Sequence, residues 1–216
     1  MCRCLRKYYA RCQIEELSRM LDVGTASFES FDFNWYSPAK DPGMDVSPRT
    51  NMEKNYDTCQ DFARQFGQGS GNLLLWGDPG LGKTFLSACI ARVVSDRGFS
   101  VVYDTATHIF ARFEEAKFSR EDDETAREDV ARCQNCDLLI LDDLGTEMVT
   151  SFVQSALYQI VNGRLLAGKS TIISTNLDPE GIARRYSPQV LSRLEGEYQI
   201  LPFFGEDIRQ LKRERA

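Results

Sequence analysis

Eight residues carry the clearest chemistry in this chain: Gly77, Asp78, Pro79, Gly80, Leu81, Gly82, Lys83 and Thr84, a G-x-x-x-x-G-K-T pattern. An apolar run, Leu73 to Trp76, precedes them and a helical pattern opening at Thr84 and Phe85 follows. Strand, glycine loop and helix start are the context in which this pattern binds phosphate. The loop can turn its N–H groups around a triphosphate, and the helix start adds its positive dipole end. Lys83 would place a point charge on the β- and γ-phosphates, and the Thr84 hydroxyl would ligate Mg²⁺.

A second station lies downstream, at Leu138-Leu139-Ile140-Leu141-Asp142-Asp143: four apolar residues closed by two carboxylates. Asp142 is placed to hold Mg²⁺ and Asp143 to act as general base on an attacking water. Paired aspartates after a strand can also do no more than cap a loop. Their place downstream of the glycine loop favours chemistry. Glu147 is a spare carboxylate nearby. The third station is Asn176, ending the apolar run Thr171 to Thr175. A polar residue at a strand's carboxyl end can reach the γ-phosphate or the water. An asparagine opening the Asn-Leu-Asp-Pro turn is the plainer alternative.

The elements that must position these residues can be read from periodicity. Strands are expected at 73–76, 100–104, 138–141, 171–175 and 198–201. Helices are expected at 50–66, 84–97, 105–118, 152–166, from 179 and at 190–195, with 119–129 a charged loop leading into a short helix. Alternation of strand and helix predicts a five-stranded, mostly parallel sheet with helices on both faces. Residues 1–27, with Ile14, Leu17 and Leu21 at helical spacing, read as a short leading helix; 28–216 read as one domain.

Composition narrows the classes. The 216 residues carry a net charge of −6 and 42% hydrophobic residues. That balance argues against a broadly basic nucleic-acid surface without excluding a local groove. No apolar run reaches the roughly 18 residues of a membrane span, and no apolar signal core follows Met1, so a cytoplasmic location is expected. Seven cysteines are too odd a set for a disulfide framework. Cys2-x-Cys4 with Cys12, and Cys133-x-x-Cys136, are either fragments of a zinc site or reduced thiols; a closed zinc site takes about four ligands, and His108 is the only histidine.

These motifs carry a resemblance. The segments 28–33, 72–84, 137–145, 172–177 and 192–209 resemble the DnaC/DnaI/IstB group of AAA+ ATPases, over roughly residues 28–212. The Leu-Asp-Asp-Leu-Gly of 141–145 and Ser-Thr-Asn-Leu of 174–177 are the more specific parts. The resemblance implies a P-loop NTPase fold with a reduced or absent lid, and ATP with Mg²⁺ as ligands. It implies Walker A at Lys83 and Thr84, Walker B at Asp142 and Asp143, sensor 1 at Asn176, a trans-acting arginine finger at Arg193 and sensor 2 at Arg209. Arg164 matches a common arginine position, with no role evident from sequence. The implied activity is ATP hydrolysis in a self-assembling helicase loader, with a replicative helicase and single-stranded DNA as partners. A transposition helper and an assembly switch with little turnover are the alternatives. No guanine-reading Asn-Lys-x-Asp motif occurs. By residue type, His108, Arg112, Phe113 and Lys117 are candidates for DNA contact, although Phe113 has helical spacing from Ile109 that suits a core position better.

Overall fold

The computed structural model describes residues 26–40, 45–118 and 124–215. The cysteines Cys2, Cys4 and Cys12 and the expected leading helix lie outside the described residues.

Five strands form one sheet: β1 (Asn72–Gly77), β2 (Val101–Thr105), β3 (Leu138–Leu144), β4 (Ser170–Thr175) and β5 (Tyr198–Phe203), in the order β2-β3-β4-β1-β5. Every pairing is parallel, a sharper result than the mostly parallel sheet expected. The registers align Leu73 and Ile140 with Ile172, and Leu75 with Leu201. The period of two along each strand divides the apolar residues between two cores. Leu73, Leu75, Leu138, Ile140 and Ile172 face one; Leu74, Leu139, Leu141 and Ile173 face the other. Both faces are covered, which is why the central strands read as continuous apolar runs rather than alternating ones.

The first face is covered by α1 (Pro48–Gln65) and α2 (Lys83–Asp96), which contribute Met52, Cys59, Leu86 and Ile90. Helix α1 begins two residues earlier than its periodicity suggests. Ser47 caps it, accepting the Thr50 N–H at 3.2 Å, and Pro48 sits in the first turn, where its missing N–H costs nothing. Asn51 and Asn55 donate to the Pro202 carbonyl at 2.6 and 2.7 Å and pin the end of β5.

The second face is covered by α3 (Ala106–Phe118), α4 (Glu124–Asn135), α5 (Ser151–Leu166), α6 (Pro179–Arg185) and α7 (Pro188–Glu197). Helix α4 starts inside the charged stretch expected to be loop. Ala126, Val130 and Cys133 recur at helical spacing and pack inward, so its charges occupy the outer face. Ser187 and Pro188 likewise start α7 earlier than expected. After β5 comes the seven-residue α8 (Ile208–Glu214). No described helix is long and apolar enough to cross a membrane.

Candidate nucleotide site

The site forms at the carboxyl edge of the sheet, where β1 runs into the loop 78–82 and α2 begins. The backbone there needs glycine. Gly80 has φ 78° and Gly82 has φ 93°, both left-handed. A Cβ on Gly80 would stand 1.8 Å from Asp207 Oδ1, and one on Gly82 would stand 2.7 Å from the Tyr36 hydroxyl oxygen. Two distant segments therefore close on the loop. The buried Tyr36 donates to the Leu81 carbonyl at 3.0 Å, and the Ile208 N–H donates to the Gly80 carbonyl at 3.1 Å.

Lys83 is 6% exposed and donates to the carbonyls of Gly77 (2.6 Å) and Asp78 (2.7 Å). Burial pulls its ammonium below the usual range. Asp143, Asp142 and Asp78 oppose that shift, and the Arg209 charge adds to it. Arg209, at the start of α8, is exposed.

β3 carries the acids. It lies one strand away from β1, with β4 between them. Asp142 is fully buried. Its Oδ1 accepts from the Ser174 hydroxyl, its Oδ2 lies 3.0 Å from the Tyr103 hydroxyl, and Thr84 bonds it as well. Burial raises its pKa; the Ser174, Tyr103 and Thr84 hydroxyls lower it and the adjacent Asp143 raises it further. Asp143 is half-buried with φ 54°, and its N–H donates to Ser174 Oγ at 2.9 Å. Asn176 is exposed at the end of β4 and lies beside Gly145: its Oδ1 is 3.4 Å from where a Gly145 Cβ would be. Thr175 ties the two strand ends together by donating to the Leu144 carbonyl at 2.7 Å.

The residues fit a nucleoside triphosphate with Mg²⁺. A glycine cradle, a buried ammonium bonded to neutral carbonyls and a helix start all suit phosphate. The Thr84 hydroxyl and the Asp142 carboxylate are hard oxygen donors of the kind Mg²⁺ takes.

The remaining sequence candidates resolve differently. Arg193 is exposed on α7, whose Val190 and Leu194 face the second core. Glu147 is structural: it accepts from the Gly145 N–H at 3.0 Å and from the Tyr186 hydroxyl, shaping the turn after β3. Arg164 is 1% exposed. It donates to Thr171 Oγ1 (3.0 Å) and to the carbonyls of Cys133 (2.8 Å), Gln134 (3.1 Å), Cys136 (3.1 Å) and Ser170 (2.6 Å). It therefore joins the end of α4 to the start of β4. Cys133 and Cys136 are buried free thiols, pushed up by burial. No group of three or more metal-ligating side chains exists among the described residues.

Of the DNA candidates, Phe113 is core, which removes it as a stacking platform in this conformation. His108 and Arg112 both face Asp104, at 3.1 and 2.8 Å. Lys117 lies over the rings of Phe152 (4.9 Å) and Phe118 (5.5 Å). Sequence reasoning missed Tyr36, Tyr103 and Ser174, whose contacts span 45, 39 and 32 residues of chain.

Comparison with known proteins agrees with this geometry. The sequence model of the family described as "IstB-like ATP binding protein" matches residues 16–213. The chain belongs to that family. Among its relatives, the replicative helicase loader DnaI of Bacillus subtilis is 31% identical over 150 residues, covering 67% of this chain and 46% of that protein. The replicative helicase loader DnaC of Escherichia coli K12 is 25% identical over 150 residues, covering 69% and 60%. Three DnaC proteins of Buchnera aphidicola are matched over 54–62% of their length, so this member of the family spans little more than half of such relatives. In three dimensions it is similar to a crystal structure of the DnaC helicase loader, with TM-score 0.68, 20% identity and coverage of 85% of this chain and 99% of that one. It is also similar to the replication initiator DnaA bound to AMPPCP and single-stranded DNA, with TM-score 0.65, 21% identity and coverage of 88% and 54%. At those identities the likeness establishes the AAA+ P-loop fold.

Proposed function

We propose that this IstB-like protein is an ATPase that assembles with copies of itself and helps place a replicative hexameric helicase on single-stranded DNA in the cytoplasm. One observation carries the ATPase part: Lys83, Thr84, Asp142, Asp143 and Asn176 stand at the carboxyl ends of three adjacent parallel strands. The loader part is supported by the names of the relatives, replicative helicase loaders DnaC and DnaI.

Each residue has a defined task. The N–H groups of Asp78 and of residues 80–84 surround the phosphates. Lys83 redirects its protons from the carbonyls of Gly77 and Asp78 to the β- and γ-phosphates. Thr84 and Asp142 would hold Mg²⁺, which would neutralise phosphate charge when bound. Asp143 accepts the proton of the attacking water, and Asn176 orients that water. Arg209 reads the phosphates from within the chain. Arg193, exposed on α7, reaches the γ-phosphate of a neighbouring copy and stabilises transition-state charge.

The test is ATP hydrolysis per subunit against protein concentration, with and without single-stranded DNA. Turnover should rise with concentration and fall when Arg193→Ala protein is mixed in. Flat turnover would overturn the shared site. Unchanged phosphate release by Asp143→Asn would instead indicate an assembly switch. A transposition helper is the second reading, favoured by the IstB-like family description. It has the same ATP chemistry, and affinity for purified helicase against purified transposase separates the two.

A further inference from the structure

The two acids of β3 are set by a residue of another strand. Ser174 is fully buried in β4. Its hydroxyl donates to Asp142 Oδ1 and accepts the Asp143 N–H at 2.9 Å. A hydroxyl has one proton and two acceptor sites, so the two bonds do not compete. They differ in kind: one fixes a side chain, the other a backbone.

The backbone bond falls where the sheet is irregular. Leu141 pairs with Ile173, but the next pair is Leu144 with Thr175. Between them Asp142 and Asp143 oppose Ser174 alone, a β-bulge. Asp143 is also the one described non-glycine residue with positive φ, at 54°. A residue with a Cβ adopts that conformation at a cost, aspartate at less than most, and keeps it where its surroundings support it. Here the Ser174 hydroxyl takes the N–H that the broken ladder leaves, and the Thr146 hydroxyl holds the Asp143 carbonyl at 3.0 Å from the turn that follows. The outcome is functional in direction, since Asp143 is the foremost charge acting on Lys83. Its neighbour Thr175 shows the plainer alternative, satisfying its hydroxyl on one carbonyl of Leu144.

We propose that Ser174 is the positioning residue of the acidic pair: one hydroxyl holds Asp142 towards Thr84 and holds the bulge that turns Asp143 out of the sheet. This rests on the ATPase reading for Asp143, and on the Mg²⁺ fit alone for Asp142. Tyr103 supports the other oxygen of Asp142 from β2.

The experiment uses the full chain and a fluorescent ATP analogue, titrated with Mg²⁺ and separately in EDTA. For Ser174→Ala the affinity in EDTA should stay within about twofold of the parent, while the gain conferred by Mg²⁺ shrinks about tenfold, the effect of one lost charge-assisted hydrogen bond. Ser174→Thr, which keeps the hydroxyl, should recover most of that gain. An unchanged Mg²⁺ gain, or equal losses in both conditions, overturns the proposal. Turnover supplies a second arm. Ser174→Ala should slow hydrolysis roughly a hundredfold, comparable to other lost positioning contacts. Combined with Asp143→Asn at saturating Mg²⁺ and ATP, it should cost much less than the product of the two single losses, because the part of its effect that acts through Asp143 is already gone. Losses that multiply overturn the proposal. A parent that does not hydrolyse ATP overturns the ATPase reading instead, and the Mg²⁺ arm still decides whether Ser174 holds Asp142.

Discussion

The two ends of β3 are built on opposite rules. Just before the strand, Asp137 accepts from the Ser100 N–H (2.9 Å), the Ser100 hydroxyl (2.7 Å) and Lys169 (2.9 Å). Burial pushes its carboxyl up, but those hydrogen bonds outweigh it and leave the pKa below the usual value. Beside it the Arg164 guanidinium is ringed by carbonyls. At the other end, Asp142 has only hydroxyl partners among its named hydrogen bonds, Asp143 adds like charge, and Lys83 is bonded to carbonyls rather than carboxylates. One end hydrogen-bonds each nitrogen of its guanidinium inside the chain; the other holds two like-charged acids apart from an ammonium with two carbonyl acceptors, an arrangement that a Mg²⁺-bearing phosphate would complete. The lesson is physical: buried charge whose hydrogen-bonding groups are met inside the chain serves stability, and acids and ammonium held apart mark where a ligand belongs.

The largest test of this contrast is Arg164→Ala. It removes the donor shared by four carbonyls and leaves a hole at a fully buried position. Loss of about 3–5 kcal/mol in urea unfolding is expected. Arg164→Lys should recover less than half, because a point charge cannot replace a five-donor fork. Below the melting temperature, ATP affinity should be little changed. A strong affinity loss in the folded variant would mean the two ends are coupled and the contrast is false.

Lys83→Ala should invert that pattern. Affinity for ATP is expected to fall about a hundredfold, near 2.7 kcal/mol. Stability without nucleotide should move by less than about 1 kcal/mol, since the ammonium is desolvated and bonded only to carbonyls among its described contacts. Equilibrium binding and denaturation on the same samples measure both.

What could be read from sequence follows the same division. The phosphate loop was legible because its chemistry is contiguous: eight residues between an apolar strand and a helix. The acidic pair was legible because it ends an apolar run. The partners that aim it were not. Ser174 and Tyr103 reach Asp142 only through strand order and register, neither of which a local pattern encodes. Arg164 was noticed by resemblance, yet a buried arginine defies the expectation that charge is exposed, so its clamp emerged only from geometry. The start of α4 was hidden because its outer charges outweigh three inward residues in any count by composition. Arg193 is exposed on α7, and its role rests on the resemblance alone.

Acidity should separate the two ends by sign. Burial raises Asp142 above its ordinary 3.8. Its stabilising contribution is therefore full below that value and is lost as pH rises through the folded pKa. Asp142→Asn removes the loss, so in EDTA the variant should gain stability relative to the parent as pH climbs from about 4 to 7, while losing Mg²⁺-dependent nucleotide binding. Denaturation curves across that range decide it. A variant that loses stability with rising pH would mean that Asp142 is satisfied by its hydroxyl partners after all.

Asp137 should give the opposite slope and the smallest effect. Its pKa is lowered from 3.8, so its contribution is present above that value and disappears as pH falls through the folded pKa. The Lys169–Asp137 pair is about one-third exposed on each side, at 32% and 35%. Solvent screening therefore limits the pair to no more than about 1 kcal/mol. Lys169→Ala should cost that much or less at pH 7 and progressively less as pH falls below 3.8. Salt at 0.5 M should remove part of the cost, since a partly exposed pair is screened over a few ångströms at that strength. The Ser100 bonds do not depend on Lys169 and should hold Asp137 in place, so the cost should stay well below that of Arg164→Ala. A Lys169→Ala loss approaching 3 kcal/mol would show that the first end of β3 relies on one surface ion pair rather than on the buried guanidinium.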